Sequence, residues 1–299
     1  MTEGAIKLAR VFPRRTKATP DDALAFVGSP DLMDLAIADG VDEVHVSVAF
    51  TADKVIAERL AQEWSVLGVP VKVGGVAYGD DSLEFIPGRY IKPGYTITSR
   101  GCPRRCWFCG VWKKWPTVNP LPIHPGWNVL DDNLLAAPRD HVEAVFAMLR
   151  QQKRRIEFTG GLEALSLQDY QVSLLASLKP RPCCFWAYDP GDAFETLESA
   201  AKRMIEAGFT ACSHRLRVYV LIGFPKDTFE LAEGRLNQML DIGFTPHAML
   251  WQPETPSQEK FRPAPEWRNF QRKWARPAII HSMRSARVLA EEIEIQEPA

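Results

Sequence analysis

The chain has 299 residues, 46% of them hydrophobic and 24% charged, the balance of a soluble globular protein with one large domain or a large and a small one. A formal net charge of −1 gives no overall attraction to nucleic acid or to a membrane surface, although a local basic patch is compatible with it. The longest strongly apolar stretch, 218–224, is too short to cross a bilayer, and the first fifteen residues lack a signal-peptide core, so a cytoplasmic protein without membrane contact is expected.

Hydrophobic periodicity alternates between strand and helix along the chain, which predicts a parallel α/β fold. Residues 1–17 read as a basic segment, with Lys7, Arg10, Arg14, Arg15 and Lys17 against Glu3. A short apolar run, 24–27, ends at Gly28, and short strands are expected at 43–48 and 69–73. Between the last two, Ile56, Leu60, Trp64 and Leu67 have helical spacing, stopped by Gly68. This first segment, 1–88, resembles half of a nucleotide-binding (Rossmann-like) sheet, and 79–88 reads as a linker. From 94 onward the alternation becomes regular. Strands are expected at 95–98, 127–130, 155–159, 183–188, 216–222 and 246–251. Helices are expected at 138–152, 167–178, around Leu197–Ile205 and from Asp227 to Gly243, with Asp227 and Glu230 as a capping box. Six such units with right-handed crossovers predict a partial (β/α)6 TIM-like barrel over 89–255, with its chemistry at the C-terminal strand ends. A helical extension is expected over 256–299.

Three of the six cysteines fall within eight residues: Thr98-Ser-Arg-Gly-Cys102-Pro-Arg-Arg-Cys106-Trp-Phe-Cys109-Gly. Clustered thiols without a secretion signal point to metal ligation in a reducing compartment rather than to disulfides. Thiolates suit iron–sulfur clusters and zinc. A structural zinc site wants four protein ligands, for which His124 is the candidate fourth. A [4Fe–4S] cubane held by Cys102, Cys106 and Cys109 would leave one iron open to an outside ligand.

The spacing C-x3-C-x-aromatic-C, directly after the first strand of a β/α series, resembles the radical S-adenosylmethionine superfamily over residues 90–255. The resemblance implies a [4Fe–4S] cluster whose open iron chelates S-adenosylmethionine, with one electron from a flavodoxin- or ferredoxin-type reductant cleaving it to a 5′-deoxyadenosyl radical. It also implies positions that face the cofactor. Phe108 would pack near the adenine. Asp131 or Asp132, after strand two, would meet the cofactor's ammonium group or else cap a helix. Gly160 and Gly161, followed by Glu163, resemble the family's Gly-Gly-Glu motif with Leu162 inserted. Asp189 suits a ribose hydroxyl, and Gly223 ends the strand beside the adenine. Arg100, Arg104 and Arg105 would balance an anionic cluster. Cys183 and Cys184 alternate on one strand, so one of them is expected to point inward.

The N-terminal segment is similar to a reduced cobalamin-binding domain, but it lacks the Asp-x-His-x-x-Gly signature, and His45 stands in a strand context; both argue against cobalamin. At the other end, 261–276 interleaves Trp267, Phe270 and Trp274 with Arg262, Arg268, Arg272, Lys273 and Arg276. That spacing is a buried helix face or a nucleic-acid contact, and it keeps a nucleotide or nucleic-acid substrate open. The sequence names no substrate. A radical enzyme leads, with a cobalamin-dependent radical methyltransferase and a noncatalytic metal-binding nucleic-acid module as the other readings.

Overall fold

The computed structural model describes residues 6–78, 85–253, 263–280 and 282. It is a mixed α/β protein with two parallel sheets, each with its own hydrophobic cluster. The first unit runs β1 (Leu8–Phe12), β2 (Ala25–Val27), α1 (Leu32–Ile37), β3 (Glu43–Ser47), α2 (Lys54–Trp64) and β4 (Val71–Gly74). Its sheet order is β2-β1-β3-β4, with every pairing parallel. The segment read as a basic tail thus contains β1, an inner strand. Charge obscured it: Arg10 is buried in that strand, bonded to Asp22 and to the carbonyls of Gly88 and Arg89. The expected helix ending at Gly68 is present, and Gly68 adopts φ +70° at its stop. Ala57, Leu60 and Trp64 of α2 carry its apolar stripe onto the sheet.

The second unit begins with β5 (Tyr95–Thr96) and β6 (Ser99–Arg100). The cysteine loop follows, then α3 (Val111–Lys114), β7 (Asn119–Pro120) and β8 (Asn128–Val129). Next come α4 (Arg139–Arg150), β9 (Glu157–Leu162), α5 (Asp169–Ser177), β10 (Cys183–Tyr188), α6 (Phe194–Glu206), β11 (Leu216–Ile222), α7 (Phe229–Asp241), β12 (Thr245–Leu250) and α8 (Pro265–Trp274). The sheet order is β12-β11-β10-β9-β8-β5, so each strand lies beside its predecessor in the series. Helix stripes such as Val142, Val145, Phe146 and Leu149 of α4, and Leu197, Ala200, Ala201 and Met204 of α6, pack on one face of this sheet. Fully burying each large apolar side chain contributes about 1.5–3 kcal/mol, which fixes these helices against the strands.

Two local expectations are corrected. The expected strand end at Thr159 is not an end, because β9 continues through both glycines to Leu162. Helix α7 is capped by Thr228, whose hydroxyl accepts from the Leu231 N–H, rather than by Asp227. The Asp227 side chain is instead buried against Arg235 and accepts the Gly223 N–H. The linker expected at 79–88 lies partly outside the described residues, as does much of the 256–299 extension. Among the described residues, no helix is long and apolar enough to cross a membrane.

Candidate functional site

The strands of the six-stranded sheet all point one way, so their C-terminal ends form one rim. The cysteine loop lies over it. Antiparallel pairing of β6 with β7 closes the base of this loop. Two carboxylates at the end of β8 pin it. Asp131 is 1% exposed and accepts from the Thr98 N–H (2.7 Å), the Thr98 hydroxyl (2.6 Å) and the Ser99 hydroxyl (2.6 Å). Asp132 accepts the Gly101 N–H at 2.8 Å and pairs with Arg100 at 3.4 Å. Expected to meet an ammonium group or to cap a helix, both carboxylates are occupied in holding the strand that leads into Cys102. Burial pushes Asp131 above the ordinary aspartate range, against the pull of its three donors.

Each of the three thiols has one N–H donor. The Asn133 side-chain amide lies 3.4 Å from Cys102 Sγ, the Arg104 guanidinium bonds Cys106, and the Val111 backbone N–H bonds Cys109. N–H donors favour the thiolate, the form that ligates metal. Burial opposes them: it pushes Cys106 up to about 11 and raises Cys109. Metal binding would therefore displace protons from these thiols. All six cysteines are free thiols.

Among the described residues, no three His, Cys, Asp or Glu side chains converge where a single metal ion could bind. His124 does not join the cysteines in such a group; its ring lies 6.0 Å from that of Phe85. Cys102, Cys106 and Cys109 share one pinned loop and are the donors that would hold a cubane.

Behind Cys106, the ends of β9 and β10 bring acids around one arginine. Arg104 pairs with Glu163 (3.3 Å) and with Asp192, and Asp192 also accepts the Asp189 N–H at 2.8 Å. Asp189 is pushed up to about 7, first by burial and then by the negative charges of Asp192 and Glu163; the Leu221 N–H and Arg104 pull the other way. Glu163 is raised by burial. Sequence reasoning found Glu163, Asp189 and Arg104 but missed Asp192, which carries no motif of its own.

The paired glycines divide. A Cβ at Gly160 would overlap the Asp131 carbonyl oxygen, so this glycine lets β9 approach the β8 end closely. Gly161, at φ +105°, has open space where a side chain would be and faces no neighbour. Gly223, expected beside an adenine, backs onto Trp267 of α8, 3.1 Å from where a Cβ would lie. Phe108 packs edge-on to Trp107 at 5.4 Å. Trp107 also meets Phe224 (5.8 Å) and Trp251 (6.4 Å), so an aromatic cap joins the loop to the ends of β11 and β12.

No family model matches the chain, and no curated protein matches it. The remaining expectations therefore rest on geometry. Cys184 is fully buried under the helices, while Cys183 lines a cavity on the opposite face of the sheet. His45 spends both ring nitrogens on Tyr90 and Glu43. Trp274 is buried and Trp267 and Phe270 stack on Phe229, so the aromatic side of α8 is a packing face. Phe261 and Arg262 lie outside the described residues.

Proposed function

We propose that this chain is a cytoplasmic radical S-adenosylmethionine enzyme, with its six-stranded unit a partial TIM-like barrel. The barrel reading is supported by strands in sequential order, helices on one face and a cavity on the other. The observation that carries the function is the cysteine loop itself. It holds three thiols, each with its own N–H donor, over the C-terminal rim of a parallel sheet.

Cys102, Cys106 and Cys109 would hold a [4Fe–4S] cluster, which supplies the electron for reductive cleavage of S-adenosylmethionine at its open iron. The protein's part is orientation and shielding. Asp131 and Asp132 fix the loop. Glu163 and Asp189 offer carboxylates to a cationic amino group and to ribose hydroxyls. Arg104 pairs with Glu163 and bonds the Cys106 sulfur, and Trp107, in contact with Phe108, Phe224 and Trp251, ties the loop to the ends of β11 and β12. A small one-electron carrier of the flavodoxin or ferredoxin type would deliver the electron.

Electron paramagnetic resonance on anaerobically reconstituted, dithionite-reduced protein tests the assignment. A cubane signal that changes when S-adenosylmethionine is added is expected. A signal indifferent to S-adenosylmethionine, or zinc in place of iron, would sink the reading.

A cobalamin-dependent methyltransferase is favoured by one observation, a cavity at the C-terminal ends of β1, β3 and β4. Against it stand the absent signature and the occupied His45. Titration with hydroxocobalamin decides between them.

A further inference from the structure

The cavity lies between the two sheets and has a volume of about 1190 Å³, somewhat above the roughly 300–1,000 Å³ of ordinary small-molecule sites. One wall is the inner face of the six-stranded sheet: Glu157, Thr159, Cys183, Phe185, Tyr219 and Met249 alternate with residues buried under the helices. The other wall is the loops after β1 and β3. In a chain of nearly zero net charge, this one cavity is lined by seven Lys and Arg residues and two carboxylates. Both carboxylates are engaged: Asp53 pairs with Arg14, and Glu157 accepts from Asn128 at 3.2 Å.

The positive charge is not spread evenly. Arg155, Arg215 and Arg217 all act electrostatically on Cys183, and Arg217 and Lys17 both act on His247. Arg155, Arg215 and Arg217 sit at the N-terminal ends of β9 and β11, and Lys17 comes from the loop after β1 on the opposite wall. Above them, Phe185 and Tyr219 stack at 4.7 Å, with the Arg217 guanidinium 5.3 Å over the Phe185 ring. At its far end the cavity reaches Arg100 and Trp115. Trp115 accepts the Cys102 N–H at 3.0 Å, so this end touches the base of the cysteine loop. From Arg217 to Ile222 the parallel strand rises roughly 17 Å. The cavity is therefore charged at one end, aromatic along its wall, and adjacent to the cysteine loop at the other.

We propose that this cavity binds a ring-bearing small molecule with at least two negative charges, the chemistry of a nucleotide. Its anionic end is seated among Lys17, Arg215 and Arg217, its ring lies along Phe185 and Tyr219, and its body is directed toward the cysteine loop. Guanidinium groups suit phosphate and carboxylate oxygens bidentately, and a low-dielectric wall focuses their field. That this ligand is the substrate of the radical chemistry rests on the reading above; the binding itself does not.

Isothermal titration of the full chain, both metal-free and reconstituted, with guanosine 5′-monophosphate, guanosine and inorganic pyrophosphate tests it. These probes avoid adenine, which the proposed cofactor also carries. The monophosphate is expected to bind both forms, more tightly than guanosine or pyrophosphate, and to weaken as salt rises. Arg217→Gln and Lys17→Gln, each first checked for an unchanged melting temperature, should weaken it by about tenfold or more. Arg215→Gln gives a second variant should Arg217→Gln fail to fold. Binding of the monophosphate no tighter than guanosine would overturn the proposal, as would indifference to the substitutions that fold. So would stoichiometric uptake of hydroxocobalamin that excludes the nucleotide. Failure here with an intact cluster signal would remove the ligand class and leave the radical reading standing.

Discussion

The two ends of the inner site are built on opposite electrostatic plans. At the C-terminal rim, thiols and acids crowd together, and nearly every charge is answered within the protein: Asp131 and Asp132 by the loop they hold, Glu163 and Asp192 by Arg104. At the base of the cavity, cations gather with few acids to answer them. An end that satisfies itself is built to hold a shape. An end left electrostatically one-sided is built to receive something. Under the proposed function the rim would hold the chemistry still, and the base would grip the ligand's anionic end.

The sharpest way to break this contrast is to exchange thiols. Replacing Cys102, Cys106 or Cys109 by alanine should abolish stable iron binding after anaerobic reconstitution, while Cys183→Ala, at the cavity, should leave iron content unchanged. Iron loss in Cys183→Ala alone would merge the two ends into one site. Next in size is Asp131→Ala. It strips three donors of their buried acceptor and should destabilise the protein by about 3 kcal/mol in urea unfolding. An unchanged midpoint would mean that the loop is not held from β8.

The two adjacent glycines separate packing from openness. Gly160→Ala must push β9 away from the β8 end and should cost about 3 kcal/mol. Gly161→Ala meets no atom and carries only backbone strain, about 1–2 kcal/mol. Equal costs would contradict the close approach at Gly160.

The last contrast is a pH dependence. Asp189 titrates at about 7 in the fold and near 3.8 when unfolded. Between those values the folded state binds more protons, so this group's contribution to stability falls as pH rises from about 4 through 7. Thermal melts of the metal-free protein should show that slope, and Asp189→Asn should flatten it. A slope unaltered by the substitution would place the charge crowding elsewhere.

Much of this was legible in the sequence where a single physical signal dominated. Cys183–Tyr188 and Leu216–Ile222 are strands with the expected bounds, because apolar runs in a buried parallel sheet need no polar face. The helix stripes of α4 and α6 were equally plain. What stayed hidden depended on distant partners. Strand β1 was masked by Arg10, whose burial is offset only by Asp22 and by carbonyls nearly eighty residues away. Asp131 looked like a ligand or a cap, since nothing local shows that Thr98 and Ser99 take its oxygens. Gly223 looked like room for a cofactor until α8 put Trp267 against it. The cavity's charge was invisible for the same reason: its cations come from segments separated by up to some two hundred residues.

One measurement bears most directly on the central claim. Anaerobically reconstituted protein is incubated with S-adenosylmethionine and dithionite, and 5′-deoxyadenosine is quantified by liquid chromatography with mass detection. The proposed function predicts 5′-deoxyadenosine and methionine in equal amounts, and none from Cys106→Ala. A fully loaded wild-type cluster that yields no 5′-deoxyadenosine would contradict it.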